Sequence, residues 1–118
     1  MALSIAPVEP VDPDLPDHPT IVHALIAKAA RDPDAVAAWC GDAEIAWRDY
    51  RDAVAALARR LQAAGANGGR IALVMRNGLE VIVAAMAGMA AGAQVAPMNF
   101  NYPPKALVPL AEDVEATI

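Results

Sequence analysis

Hydroxyl side chains are almost missing from this chain: apart from its tyrosines it holds only Ser4, Thr20 and Thr117, and none of the three lies in a glycine-rich stretch. A loop that cradles phosphate with Gly, Ser or Thr beside a Lys is therefore absent. Cysteine is as scarce. The lone Cys40 excludes an internal disulfide framework and fits a reducing compartment, the cytoplasm. No basic side chain precedes Lys28 and no basic patch appears, which disfavours a nucleic-acid role. Long apolar runs are missing too: Val81 to Ala93 has thirteen uncharged residues, short of the ~20 that span a bilayer. No G-x-G-x-x-G follows a strand, which argues against a dinucleotide-binding domain.

What remains is one modest domain's worth of chain, 118 residues and 57% apolar, with few aromatics and much alanine. Such a composition favours close helix packing over bulky side chains. The formal charge of −5 is uneven: Glu9, Asp12, Asp14 and Asp17 lie in the first nineteen residues, and from Pro19 onward ten acids face nine bases. Pro7, Pro10, Pro13, Pro16 and Pro19 recur every third residue, so residues 1–19 read as an acidic, extended arm. Residues 20–118 read as the α/β part.

The α/β part is organised around Arg70 to Asn99. Ile71 to Met75 is a short apolar run suited to a strand buried on both faces. Asn77 with Glu80 three residues on predicts a capped helix start. Val81 to Ala93 predicts an apolar helix ended by Gly92, and Gln94 to Pro97 a second strand. A right-handed crossover joins two such strands. Gly88 and Gly92 form a G-x-x-x-G, read as a helix lying close to a sheet rather than as a membrane dimer motif.

Thr20 predicts the cap of an earlier helix with Ile21, Val22, Leu25, Ile26 and Ala29 on one stripe, stopped by Arg31, Asp32 and Pro33. Ala35 to Trp39 and Ala43 to Trp47 flank Gly41-Asp42, a hairpin signal. Tyr50, Val54, Leu57 and Leu61 mark an amphipathic helix from Arg48 to Ala64, closed by Gly65, with Arg59 and Arg60 on a solvated face. Pro103 and Pro104 open a last short helix to about Glu112, and Glu115 to Ile118 predicts the start of a third parallel strand. The fold class is thus α/β: a β-hairpin plus a partial parallel βαβαβ sheet flanked by helices.

Candidate chemistry is sparse. Cys40 at the hairpin tip has no basic partner nearby in sequence and reads as an inert thiol. His18 and His23 read as helix-end residues without metal-ligand spacing. Asn77 and Asn99 follow the two central strands, where open α/β sheets place ligands, yet capping and turn preferences account for both. Lys105 reads as a solvated helix residue.

In order and spacing, AEIAWRDYRDAVAALARRLQAAGANGGRIALVMRN and MAAGAQVAPMNFNYPPKAL resemble the N-terminal part of the adenylate-forming superfamily. That superfamily comprises acyl- and aryl-CoA synthetases, luciferases and peptide-synthetase adenylation domains. The resemblance covers Thr20 to Ile118. Two departures stand out. Ala46 and Asp49 replace the usual capping box before the long helix, and Gly68-Gly69 replaces the usual Gly-Asp before the central strand.

The resemblance implies carboxylate adenylation by ATP with Mg²⁺, followed by transfer to a thiol such as CoA. It assigns no catalytic, cofactor-binding or metal-binding residue to this chain, because the motifs that carry this chemistry are absent from it. The expectation is the N-terminal portion of an acyl- or aryl-CoA ligase of fatty-acid-type metabolism, inactive alone. Asn99, where peptide-synthetase domains typically have Asp, leans toward the CoA ligase, while Tyr102-Pro103 leans back toward a peptide-synthetase adenylation domain. A non-catalytic partner-binding module of a split synthetase is the alternative from another class. Either way the expected partner is the remainder of the synthetase or, failing that, a second copy through self-association.

Overall fold

The computed structural model describes residues 18–118, so Ser4 and the extended form expected of the proline-rich arm fall outside the described residues. The elements in order are α1 (Ile21–Arg31), β1 (Val36–Cys40), β2 (Ala43–Ala46), α2 (Trp47–Ala63), β3 (Arg70–Val74), α3 (Leu79–Ala90), β4 (Gln94–Met98) and α4 (Pro104–Asp113). β1 and β2 form an antiparallel hairpin, and β3 pairs with β4 in parallel register from Arg70↔Gln94 to Val74↔Met98. The α/β class holds, and α3 connects the two parallel strands.

Helix α1 starts where Thr20 places it: the Thr20 hydroxyl accepts from the His23 N–H at 3.3 Å. Its predicted stripe is wider than the face it buries. Leu25 and Ala29 are buried, whereas Ile21 and Ile26 are more than half exposed. At the other end Lys28 and Arg31 both bond to Asp32, holding its carboxyl below the usual range. The hairpin turns through Gly41, whose φ of +59° suits a primed two-residue turn.

Helix α2 has Ala46 at its N-cap with no side-chain bond, the loss that the departure from the capping box implied. Its inward face is nonetheless well placed, with Tyr50, Val54 and Ala58 buried. Helix α3 lies between α2 and the β3/β4 sheet, which explains a helix that is apolar all round. It approaches the sheet at Gly88, where a Cβ would come within 2.6 Å of Val95 Cγ2 and 3.1 Å of Ile71 Cδ1. Gly92 has a different task. It turns the chain at φ +85°, and its carbonyl accepts from the Gly68 N–H at 2.9 Å. The two glycines thus serve a sheet contact and a turn, as the reading against a membrane motif required.

Three expectations need correction. The N-cap of α3 is Gly78, with no side-chain bond, and not Asn77, so the Asn77–Glu80 capping box does not form. The chain bends at Asn77 and Gly78, and Gly78, itself extended at φ 173° and ψ −176°, is the residue before the first helical turn, one residue on from Asn77. The helix also ends at Ala90, before the predicted Ala93. Finally, Glu115 to Ile118 does not form a strand of its own. Glu115 sits at φ +54°, and the backbone meets β3 only at the end, where Thr117 N–H and Ile118 N–H donate to the Arg70 carbonyl and Ala72 N–H donates to the Ile118 carbonyl.

Candidate functional site

In a parallel sheet flanked by helices, loops at the carboxyl ends of the strands are where ligands tend to sit. Here those loops are Met75 to Gly78 after β3 and Asn99 to Pro103 after β4. The parallel register makes them neighbours. Continuing Val74↔Met98 by two residues sets Arg76 opposite Phe100, and the Arg76 guanidinium lies 5.2 Å from the centre of the Phe100 ring. This cation–π pair was not foreseen. Its signal was present in the alignment of LVMR with PMNF, which requires the strand register and not merely the strands.

Asn99 does form a turn. Its Oδ1 accepts from the Asn101 N–H at 2.9 Å and its carbonyl accepts from the Tyr102 N–H at 3.1 Å. An Asp forms the same turn equally well, so Asn99 does not discriminate between classes of thiol acceptor. The Asn77 side chain is exposed and makes no hydrogen bond among the described residues. Lys105 is exposed on the first turn of α4. A cavity of about 360 Å³ lies between the end of β4 and α4, lined by Met98, Asn99, Tyr102 and Leu110. On the other side, Met75, Leu79 and Val83 border an apolar groove of about 490 Å³ with Ile45 and Leu57.

The other candidates stay apart from these loops. Cys40 is exposed at the hairpin end. His23 Nδ1 sits 2.7 Å from the Thr20 hydroxyl, a helix-end contact. Both hydroxyl residues among those described are engaged in structure, since the Thr117 hydroxyl bonds the backbone of Arg70. That contact also bears on the Gly-Gly departure: a Cβ on Gly69 would collide with Thr117 Oγ1, so a side chain there displaces Thr117. Among the described residues no group of three or more His, Cys, Asp or Glu side chains is placed to hold a metal ion. No helix among them is long and apolar enough to cross a membrane.

Three comparisons with known proteins agree on the kind of molecule. The family model described as AMP-binding enzyme matches residues 25–118. Tyrocidine synthase 3 of Brevibacillus parabrevis is 29% identical over 106 residues, 89% of this chain and 2% of that protein. The isonitrile lipopeptide synthase of Mycobacterium tuberculosis is 35% identical over 97 residues, 80% of this chain and 4% of that protein. Among solved structures, the N-terminal subdomain of Klebsiella oxytoca NpsA, in complex with 3-hydroxyanthranilyl-AMSN, superposes with a TM-score of 0.75 at 25% identity. That match covers 81% of this chain and 25% of the other. The chain thus spans a few per cent of its curated relatives and about a quarter of the solved subdomain. With the hairpin, the long helix and the βαβ crossover in the order and spacing of that family, this chain belongs to the AMP-binding enzymes.

Proposed function

We propose that the chain is the opening part of a peptide-synthetase-type adenylation domain, which joins a carboxylate to AMP before a carrier-bound thiol takes the acyl group. The observation that carries this reading is the identity of the relatives: peptide synthetases match along nearly the whole chain, among them a hybrid polyketide and peptide synthetase at 34% identity over 113 residues. They favour this reading over the acyl- or aryl-CoA ligase that the sequence first suggested, and they lend no support to fatty-acid metabolism.

Within that domain this segment is scaffold. Adenylation needs positive charge on the α-phosphate and a carboxylate held in line with it, and the described residues supply no such cluster. In this reading ATP and Mg²⁺ are held by the complete domain and the acceptor thiol by the carrier. The test is ATP–pyrophosphate exchange by a longer polypeptide carrying this segment, with amino acids and aryl acids as substrates, followed by loading of CoA or of a pantetheinylated carrier protein. Exchange followed by carrier loading is expected. Efficient CoA thioester formation without carrier loading would restore the ligase reading, and no exchange with any acid would sink both.

A further inference from the structure

A groove of about 440 Å³ lies between α1 and the start of α2. Ile21, Leu25 and Lys28 line it from α1 at helical spacing, Trp47 and Tyr50 line it from the first turn of α2, and Met86 reaches it from α3. Leu25, Tyr50 and Met86 are nearly covered, whereas Trp47 is half-buried and Ile21, at the end where the chain enters, is 58% exposed. The Ile82 carbonyl engages the Tyr50 hydroxyl, so the groove presents aromatic and aliphatic surface with one ammonium, that of Lys28, at its far end. Ile21 thus belongs to the part of the α1 stripe that no described residue covers.

We propose that this groove takes the chain's own N-terminal arm, laid back along α1 with Pro13 and Pro16 against Trp47 and Tyr50. The arm joins the described residues at His18, and the chain bends at Pro19 and Thr20, directly before Ile21 on the rim of the groove. A tether that short makes docking an intramolecular step at an effective concentration on the order of millimolar. Lengths agree as well. Ile21 to Lys28 covers ~10 Å of helix at 1.5 Å per residue, and one Pro-x-x repeat advances ~9 Å at 3.1 Å per residue. Prolines at every third position share one edge of a polyproline II helix, and grooves lined by aromatic rings recognise such an edge at little entropic cost. Charge favours the same placement. The arm carries Glu9, Asp12, Asp14 and Asp17 without a base, while α1 carries Lys28 and Arg31 without an acid. Laid back in this register, Asp12 and Asp14 come to the Lys28 end, where the ammonium has three donors and Asp32 takes one at 2.5 Å. Docking also covers Ile21. The inference stands apart from the adenylation reading, since it uses no nucleotide and no acid substrate.

The test reads Trp47 directly in the full 118-residue chain. Trp39 is 69% exposed on the hairpin, so Trp39→Phe leaves Trp47 as the single indole. Acrylamide quenching is compared between this chain and the same chain carrying Pro13→Ser and Pro16→Ser, substitutions that touch no described residue. Docking is expected to keep the quenching constant about twofold or more lower with the prolines than without them, and to do so unchanged on dilution. Nuclear Overhauser contacts between the Pro13 and Pro16 ring protons and the Trp47 indole are expected within one chain. Overturning results are equal quenching constants in the two chains, contacts from these prolines to other surfaces or to none, or a difference that disappears on dilution, which would put the arm of one copy on another. Pyrophosphate exchange by a longer polypeptide can fail while this docking stands, and the reverse.

Discussion

The Tyr50 hydroxyl donates a hydrogen bond to the Ile82 carbonyl at 3.2 Å, joining α2 to the first turn of α3. Tyr50 is 8% exposed, and its ring tilts against Trp47 with centroids 6.1 Å apart. Tyr50→Phe keeps the ring and removes the bond, so a loss of about 0.5–1.5 kcal/mol is expected from urea melts at neutral pH.

The same residue gives a pH dependence. Burial pushes the Tyr50 phenol above its ordinary 10.0, so below that pH both folded and unfolded chains carry it neutral and its contribution is intact. Above pH 10 the unfolded chain ionises first, and stability falls as pH rises toward the folded value. The Phe variant lacks this component, so its melting temperature should decline less steeply than the wild type's between pH 10 and 11. Parallel curves would show that the phenol is not desolvated.

Gly88→Ala is expected to destabilise although alanine is the better helix former. The new methyl group lies 2.6 Å from Val95 Cγ2, and overpacking of ~1–3 kcal/mol outweighs a propensity gain of ~1 kcal/mol. Adding Val95→Ala should recover part of the loss, because it removes the atom that the methyl meets. A stabilised single variant in thermal melts would mean that α3 rides higher on the sheet than described.

Ala46→Ser should stabilise. Ala46 has φ −78° and ψ 157° at the start of α2, an N-cap geometry without a cap, and a serine oxygen there is worth ~0.5–2 kcal/mol. The gain is read from the shift in denaturation midpoint at unchanged slope.

At the carboxyl ends of the strands, Phe100→Leu should cost about 0.5–1 kcal/mol through loss of the exposed Arg76 contact, with no further cost when Arg76→Ala is added. Two additive losses in the double-mutant cycle would mean that the side chains do not interact.

Elements whose signal is local and periodic were readable. Tyr50 and Val54 of the α2 stripe are buried, with Leu57 and Leu61 packed against them, because a four-three-four spacing leaves few other ways to cover those side chains. Thr20 caps α1 for a similar reason: its oxygen and the His23 N–H are three residues apart. The start of α3 differs from the expectation because Asn77 and Gly78 both suit an N-cap, and the choice depends on where the chain bends after β3. Arg76 with Phe100 depended on register, which no single strand encodes. For the site, the absence of hydroxyl and Gly-rich clusters was visible at once, while the class of synthetase was not, since Asn99 forms a turn that Asp forms too.

Helix α3 touches α1, the hairpin, α2 and β3, all of which precede it, and β4, which follows at once. Every partner in this core has therefore left the ribosome once Met98 has cleared the exit tunnel, at ~5–20 residues per second of synthesis. The core can close during translation, before α4 has emerged.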